Sequence, residues 1–172
     1  MADFTTPEDE AFFAAIGRLS ISWAHLEFGI DVTISIARLL RPPTPIVPRT
    51  GLSRKLAYLR RWLRDNNEPT FRIPVEQLLS EIEAAAEQRH DIIHGVVLGY
   101  AEGSGMAQMA RIIGEQADPY RKKTYSVTTI DVLKSANAAN KLATRTLNLG
   151  TRLQDGLAAL IKELNQPHAK SE

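Results

Sequence analysis

The stretch Glu87-Gln88-Arg89-His90-Asp91-Ile92-Ile93-His94-Gly95 holds the residue types and spacings that could do chemistry. On a helix, His90 and His94 stand four apart and share a face with Glu83 and Glu87. Imidazoles that titrate near neutral pH transfer protons or ligate metals, and a guanidinium holds two phosphoryl oxygens bidentately. Glu87-x-x-His90 is half of a di-iron motif, but the chain has no second Glu-x-x-His. A catalytic zinc site of the His-Glu-x-x-His kind would need its base where Asp91 stands. No metal and no cofactor are therefore expected.

Arg89 lies seven residues after Ile82 and so continues that helix's apolar, inward stripe. A core-facing Arg must satisfy five donors or escape along its stem to the surface near a helix end. Glu27, itself on the inward stripe of the first helix between Trp23 and Ile30, is the carboxylate expected to pair with it. His94 is about 140° further round an ideal helix than Arg89, so the two should meet only if the helix end unwinds at Gly95.

The elements that must position these residues are helices. Thr6-Pro7-Glu8-Asp9 supplies a cap, a first-turn Pro and acids for one end of a helix over 7–40. Its buried stripe is Phe12, Ile16, Leu19, Trp23, Leu26, Ile30 and Ile34. At about 50 Å such a helix either bends, near Gly29, or extends into a partner. Four prolines make 42–50 an extended connector. A second helix is expected over 51–66 with the stripe Leu52, Leu56, Leu59 and Leu63, and a third from Pro74 to His94 with Gly95 as its stop. Short strands follow at Val96–Tyr100, Met106–Ile113 and Tyr125–Thr128, a small β-hairpin or flap inserted over 96–128. A fourth helix runs over 130–164, with Gly150 as a bend, and 165–172 form a frayed tail. The fold class expected is mainly α, an antiparallel four-helix bundle of one domain over 1–172.

Composition narrows the function. The chain has 172 residues, no cysteine and a net charge of +1. That excludes a disulfide scaffold, a Cys-based zinc site and thiol nucleophiles. No uncharged apolar run approaches the ~18 residues of a membrane span, and no signal peptide opens the chain, so a soluble cytoplasmic protein is expected, with no membrane partner. The near-neutral charge hides an asymmetry. From Val32 to Arg64 there are eight basic residues and no acid (Arg38, Arg41, Arg49, Arg54, Lys55, Arg60, Arg61 and Arg64). Arg54, Lys55, Arg61 and Arg64 on the second helix are the candidate phosphate-contacting residues, against the alternative of an ordinary solvated face. Trp23 and Trp62 are expected in the core or an interface, and neither His25 nor His168 is given a role.

Arg89-His90-Asp91-Ile92-Ile93-His94 resembles the Arg-x4–6-His signature of HEPN domains (higher eukaryotes and prokaryotes nucleotide-binding), in which a polar residue commonly follows the Arg. Ser22-Trp23-Ala24-His25-Leu26-Glu27 and the Leu52-to-Lys55 start of the second helix look like a group of uncharacterised bacterial HEPN-like proteins. The resemblance implies a four-helix bundle with the motif at the end of the third helix, and metal-independent RNA cleavage in a toxin or phage-defence setting. It also implies a silent alternative, a helical dimer that binds RNA, nucleotide or a partner protein. Carried over by position, Arg89 anchors phosphate and His94 transfers protons, with His90 and Glu27 supporting. Under the same resemblance the phosphate-contacting candidates Arg54, Lys55, Arg61 and Arg64 become candidate RNA-binding residues. One His is poorly suited to be both acid and base in a turnover, which points to a homodimer whose second subunit completes the site. An antitoxin protein is a further expected partner.

Overall fold

The computed structural model describes residues 6–40, 51–66, 69–101, 105–112 and 122–164. The expected connector at 42–50, the tail at 165–172, and Arg41, Arg49 and His168 lie outside the described residues. The chain is mainly helical with a small three-stranded antiparallel sheet: α1 (Pro7–Leu40), α2 (Leu52–Asn66), α3 (Pro69–His94), β1 (Val96–Ala101), β2 (Met106–Ile112), β3 (Lys122–Thr128) and α4 (Thr129–Leu164). Among the described residues no helix is long and apolar enough to cross a membrane.

Two starts differ from the sequence expectation by more than one residue. Helix α3 begins at Pro69 rather than Pro74, and Pro74 lies inside it. Pro69 takes the first-turn position where a missing N–H costs nothing, so Pro74 leaves unbonded only the Thr70 carbonyl one turn before it. Strand β3 begins at Lys122, three residues before Tyr125, because register with β2 extends the ladder to Ile112↔Lys122. A polar stretch becomes strand when its neighbour supplies the hydrogen bonds.

The chain divides into two compact units: residues Met1–His25 with Glu81–Lys141, and Leu26–Ser80 with Leu142–Glu172. In the first, the sheet order is β1-β2-β3. Alternation puts Ala107 and Met109 of β2 and Val127 of β3 on one face. That face joins Phe12, Ala15 and Leu19 of α1, Ile92 of α3 and Val132 and Ala136 of α4 in a buried cluster. Leu98 is skipped between the Val97↔Met109 and Gly99↔Gln108 pairs, a bulge that leaves it exposed.

The starts of α1 and α4 are capped by side chains. Thr6 and Asp9 exchange backbone-to-side-chain hydrogen bonds at the start of α1, and Thr128 and Asp131 do the same at the start of α4.

In the second unit the buried side chains are Leu26, Ile30 and Ile34 of α1, Leu56, Leu59 and Leu63 of α2, Val75, Leu78 and Leu79 of α3, and Leu142, Leu149 and Leu153 of α4. Gly29 and Gly150, the expected bend positions, lie inside α1 and α4. Their role is close approach. A Cβ at Gly29 would stand 3.4 Å from Thr146 Cβ, and one at Gly150 3.4 Å from Thr33 Oγ1. The buried Thr33 hydroxyl donates to the Gly29 and Thr146 carbonyls at 2.8 and 3.1 Å, which ties α1 to α4 there.

Candidate functional site

Helix α3 carries Arg89, His90, Asp91 and His94 in its last two turns and ends at His94. Arg89 is half-buried, with its guanidinium carbon 5.6 Å from the ring centroid of the buried Trp23. A planar cation over an indole gains attraction while its outer nitrogens stay available. Arg89 Nη1 lies 3.5 Å from His94 Nε2. The 140° separation is overcome without unwinding, since α3 stays helical to His94 and the long Arg side chain spans the gap. His90 and His94 are exposed, their ring centroids 4.4 Å apart at 54°. Three residues of the motif thus share one solvent-facing patch. Arg89 Nε is buried with no hydrogen-bond partner among the described residues.

Asp91 does what the sequence reading missed. Its carboxylate meets two cations from the sheet: Arg111 Nη1 of β2 at 2.8 Å from Oδ1, and Lys123 Nζ of β3 at 2.5 Å from Oδ2. The Arg111 contact is an approach of charges, off the angle of a hydrogen bond. Arg111 and Lys123 are cross-strand partners in register. Two like charges opposite each other weaken a ladder, and the carboxylate between them turns that repulsion into attraction. The Tyr125 hydroxyl donates to the Asp91 backbone carbonyl, and Lys123 Nζ lies 5.5 Å from the Tyr125 ring centroid. Burial first and the Asp91 charge second push the Tyr125 hydroxyl above its ordinary range, with Arg111 opposing, so it stays a donor. A side chain at Gly95 would place its Cβ 2.7 Å from the Asp91 carbonyl and 2.9 Å from Met109 Cε, and against the Tyr125 hydroxyl. Helix α3 stops and the chain turns into β1 where only a hydrogen fits.

The sheet also contributes to the electrostatics of His90. Burial lowers its pKa from the ordinary histidine value, Arg111 and then His94 lower it further, Glu87 opposes, and Arg89 adds a smaller push downward. Among the described residues, no three His, Cys, Asp or Glu side chains gather as metal ligands would.

The other expected site residues belong to the second unit. Glu27 is half-buried on α1 there. Lys55 is held by Asp31, 2.7 Å from Oδ1, with 12% of its side chain exposed. Arg61 and Arg64 are exposed and share Asp65 at 3.7 and 3.9 Å, and Arg54 is exposed. Asp31 and Asp65 stand one residue outside the two ends of the acid-free run from Val32 to Arg64. The run is bracketed by its own counterions, although pairs as long and exposed as those to Asp65 neutralise little. His25 is exposed and Trp62 buried.

No protein-family model, curated protein or solved structure matches the chain. What the site can do is read from its geometry.

Proposed function

We propose that this chain is a metal-independent RNA endonuclease of HEPN type, built on an antiparallel four-helix bundle and acting as a cytoplasmic homodimer in a toxin or phage-defence setting. One observation carries the reading: Arg89, seated on Trp23, reaches His94 at 3.5 Å on an exposed helix end. A guanidinium and an imidazole at that separation have the right chemistry for one phosphodiester, the first for the non-bridging oxygens and the second for a proton. An extended anionic polymer fits an open patch better than an enclosed small molecule would. The basic face of α2 supplies further phosphate contacts, with Arg54, Arg61 and Arg64 ahead of the neutralised Lys55. RNA is the substrate, and an antitoxin protein is the partner that would hold such an enzyme in check.

The test is incubation of the purified protein with a mixed-sequence RNA pool in EDTA. Cleavage should leave 2′,3′-cyclic phosphate ends, and Arg89→Ala and His94→Ala should each lose about 10²–10⁴-fold in rate. RNA bound and left intact would replace the nuclease by the silent binding dimer. Cleavage abolished by EDTA would move the chemistry to a metal.

A further inference from the structure

Helices α3 and α4 line an open groove of about 260 Å³ that lies wholly within the second unit. Its apolar floor includes Val75 and Leu78 of α3 and Leu149 of α4, all buried. Its α4 wall is Arg145, Asn148 and Arg152, all exposed. Among the described residues no acid lines it, and Glu76, next in the chain after Val75, lies 3.5 Å from Arg72. Neither arginine is free, since each already makes an interaction inside the protein, but a guanidinium has five donors and takes a carboxylate as well. The segments of this unit carry thirteen basic residues against eight acidic, and those of the first unit eight against twelve. The groove therefore belongs to the part of the chain whose charge attracts an anionic partner.

Arg145 and Arg152 are seven residues apart, so they share one face of α4 about 10.5 Å apart along its axis, with Asn148 and Leu149 between them. A foreign helix laid along the groove rises by the same ~1.5 Å per residue. Two of its acidic residues seven apart reach both guanidiniums, and a Leu, Ile or Met midway between them drops onto the floor. The floor also decides between kinds of anionic chain. Among the described residues lining the groove there is no aromatic ring, so nucleobases find no stacking platform there, while an aliphatic side chain finds its like. We propose that this groove docks an acidic amphipathic helix of a partner protein, with acidic residues seven apart and an aliphatic residue midway between them. Docking needs nothing from the motif at the end of α3 and stands whether or not the chain cleaves RNA.

The chain does not supply such a helix to a second copy of itself. Its acids stand seven apart only at Asp3 with Glu10 and at Glu76 with Glu83. Thr6 and Pro7, neither of them aliphatic anchors, are midway in the first pair. Leu79, midway in the second, is 1% exposed in the core and cannot reach a partner.

The experiment titrates ¹⁵N-labelled protein with a stapled, alanine-based helical peptide that carries two Glu seven residues apart and Leu midway between them. The side-chain N–H signals of Arg145, Asn148 and Arg152 are followed by NMR. They should shift saturably, with half-saturation below about 1 mM. A peptide with Ala in place of Leu, or with Lys in place of both Glu, should bind at least about 10-fold more weakly. Arg145→Glu with Arg152→Glu should weaken the Glu peptide by about 10-fold or more and take up the Lys peptide instead, a charge swap that a damaged fold cannot produce. Arg145→Gln with Arg152→Gln, which puts no new charge on α4, should weaken the Glu peptide without gaining the Lys peptide. No saturable shift, or shifts at other residues alone, overturns the docking groove. So does equal binding of the Leu and Ala peptides, because it would leave only a surface that attracts anions. A mixed-sequence single-stranded RNA that shifts the same three signals at lower concentration than the peptide makes the groove a nucleic-acid track and overturns the helix as its occupant.

Discussion

At the scale of single residues, the decisive side chain is one that no catalytic pattern would pick. Asp91 sits between two histidines of the motif and spends its carboxylate on Arg111 and Lys123. Asp91→Asn keeps the size and the backbone carbonyl that Tyr125 binds, yet leaves two cross-strand cations facing each other with no counter-charge. The variant should lose about 1.5–3 kcal/mol in urea unfolding, in the range of charged hydrogen bonds. Adding Lys123→Met should recover part of that loss, because the double variant no longer sets two cations face to face. An Asp91→Asn protein as stable as wild type would mean that the two contacts hold nothing. The surroundings of Arg89 show the same economy. Its inward position is eased by the Trp23 ring and by the nearby helix end.

At the scale of elements, the joint between β3 and α4 sets where the fourth helix begins. Asp131 accepts from the Thr128 hydroxyl at 2.7 Å and from the Thr128 N–H at 3.2 Å, while Thr128 Oγ1 accepts from the Asp131 N–H at 3.1 Å. These bonds favour the carboxylate, first through the hydroxyl and then through the backbone N–H, and hold its pKa below the ordinary value, with burial opposing. A carboxyl whose folded pKa is depressed stabilises the fold above its unfolded pKa of about 3.9, and that contribution is lost as pH falls through the lower folded value. Thr128→Ala should cost about 1 kcal/mol at neutral pH. Asp131→Asn should flatten the acid side of the stability curve below about pH 4, read by thermal melts from pH 2 to 6. An unchanged acid side would assign the loss of stability there to other carboxylates.

At the scale of the whole molecule, charge is arranged in segments, and the net charge of +1 says little about any face. If the α2 face tracks RNA, affinity should fall steeply with salt. Arg61→Ala and Arg64→Ala should each reduce the slope of log affinity against log salt by about one unit on double-stranded RNA, somewhat less on single strands. Lys55→Ala should change it less, since Asp31 already neutralises that ammonium. Filter binding from 50 to 300 mM salt separates these outcomes. Equal slopes for all three variants would mean that pairing with Asp31 does not withdraw Lys55, and a flat wild-type curve would remove the α2 face from RNA binding.

The sequence by itself determined the helical class, the extents of α1 and α4 to within a residue, and the buried stripe from Phe12 to Ile34. Caps, prolines and a period of 3.6 are local signals, and they act within one or two turns. It also marked Arg89, His90 and His94 as candidates, from their types and order alone. Where α3 starts was harder, because two prolines five apart, Pro69 and Pro74, carry the same local signal. The role of Asp91 was beyond local reading altogether. Arg111 and Lys123 are 20 and 32 residues away from it in the chain, and they reach it only because β2 and β3 pair with Arg111 opposite Lys123. A shift of that pairing by one residue would turn one strand's charges to the other face. The meeting of Arg89 with His94 was likewise decided in three dimensions, since the angle between their positions on the helix is local but the course of a long side chain over Trp23 depends on packing.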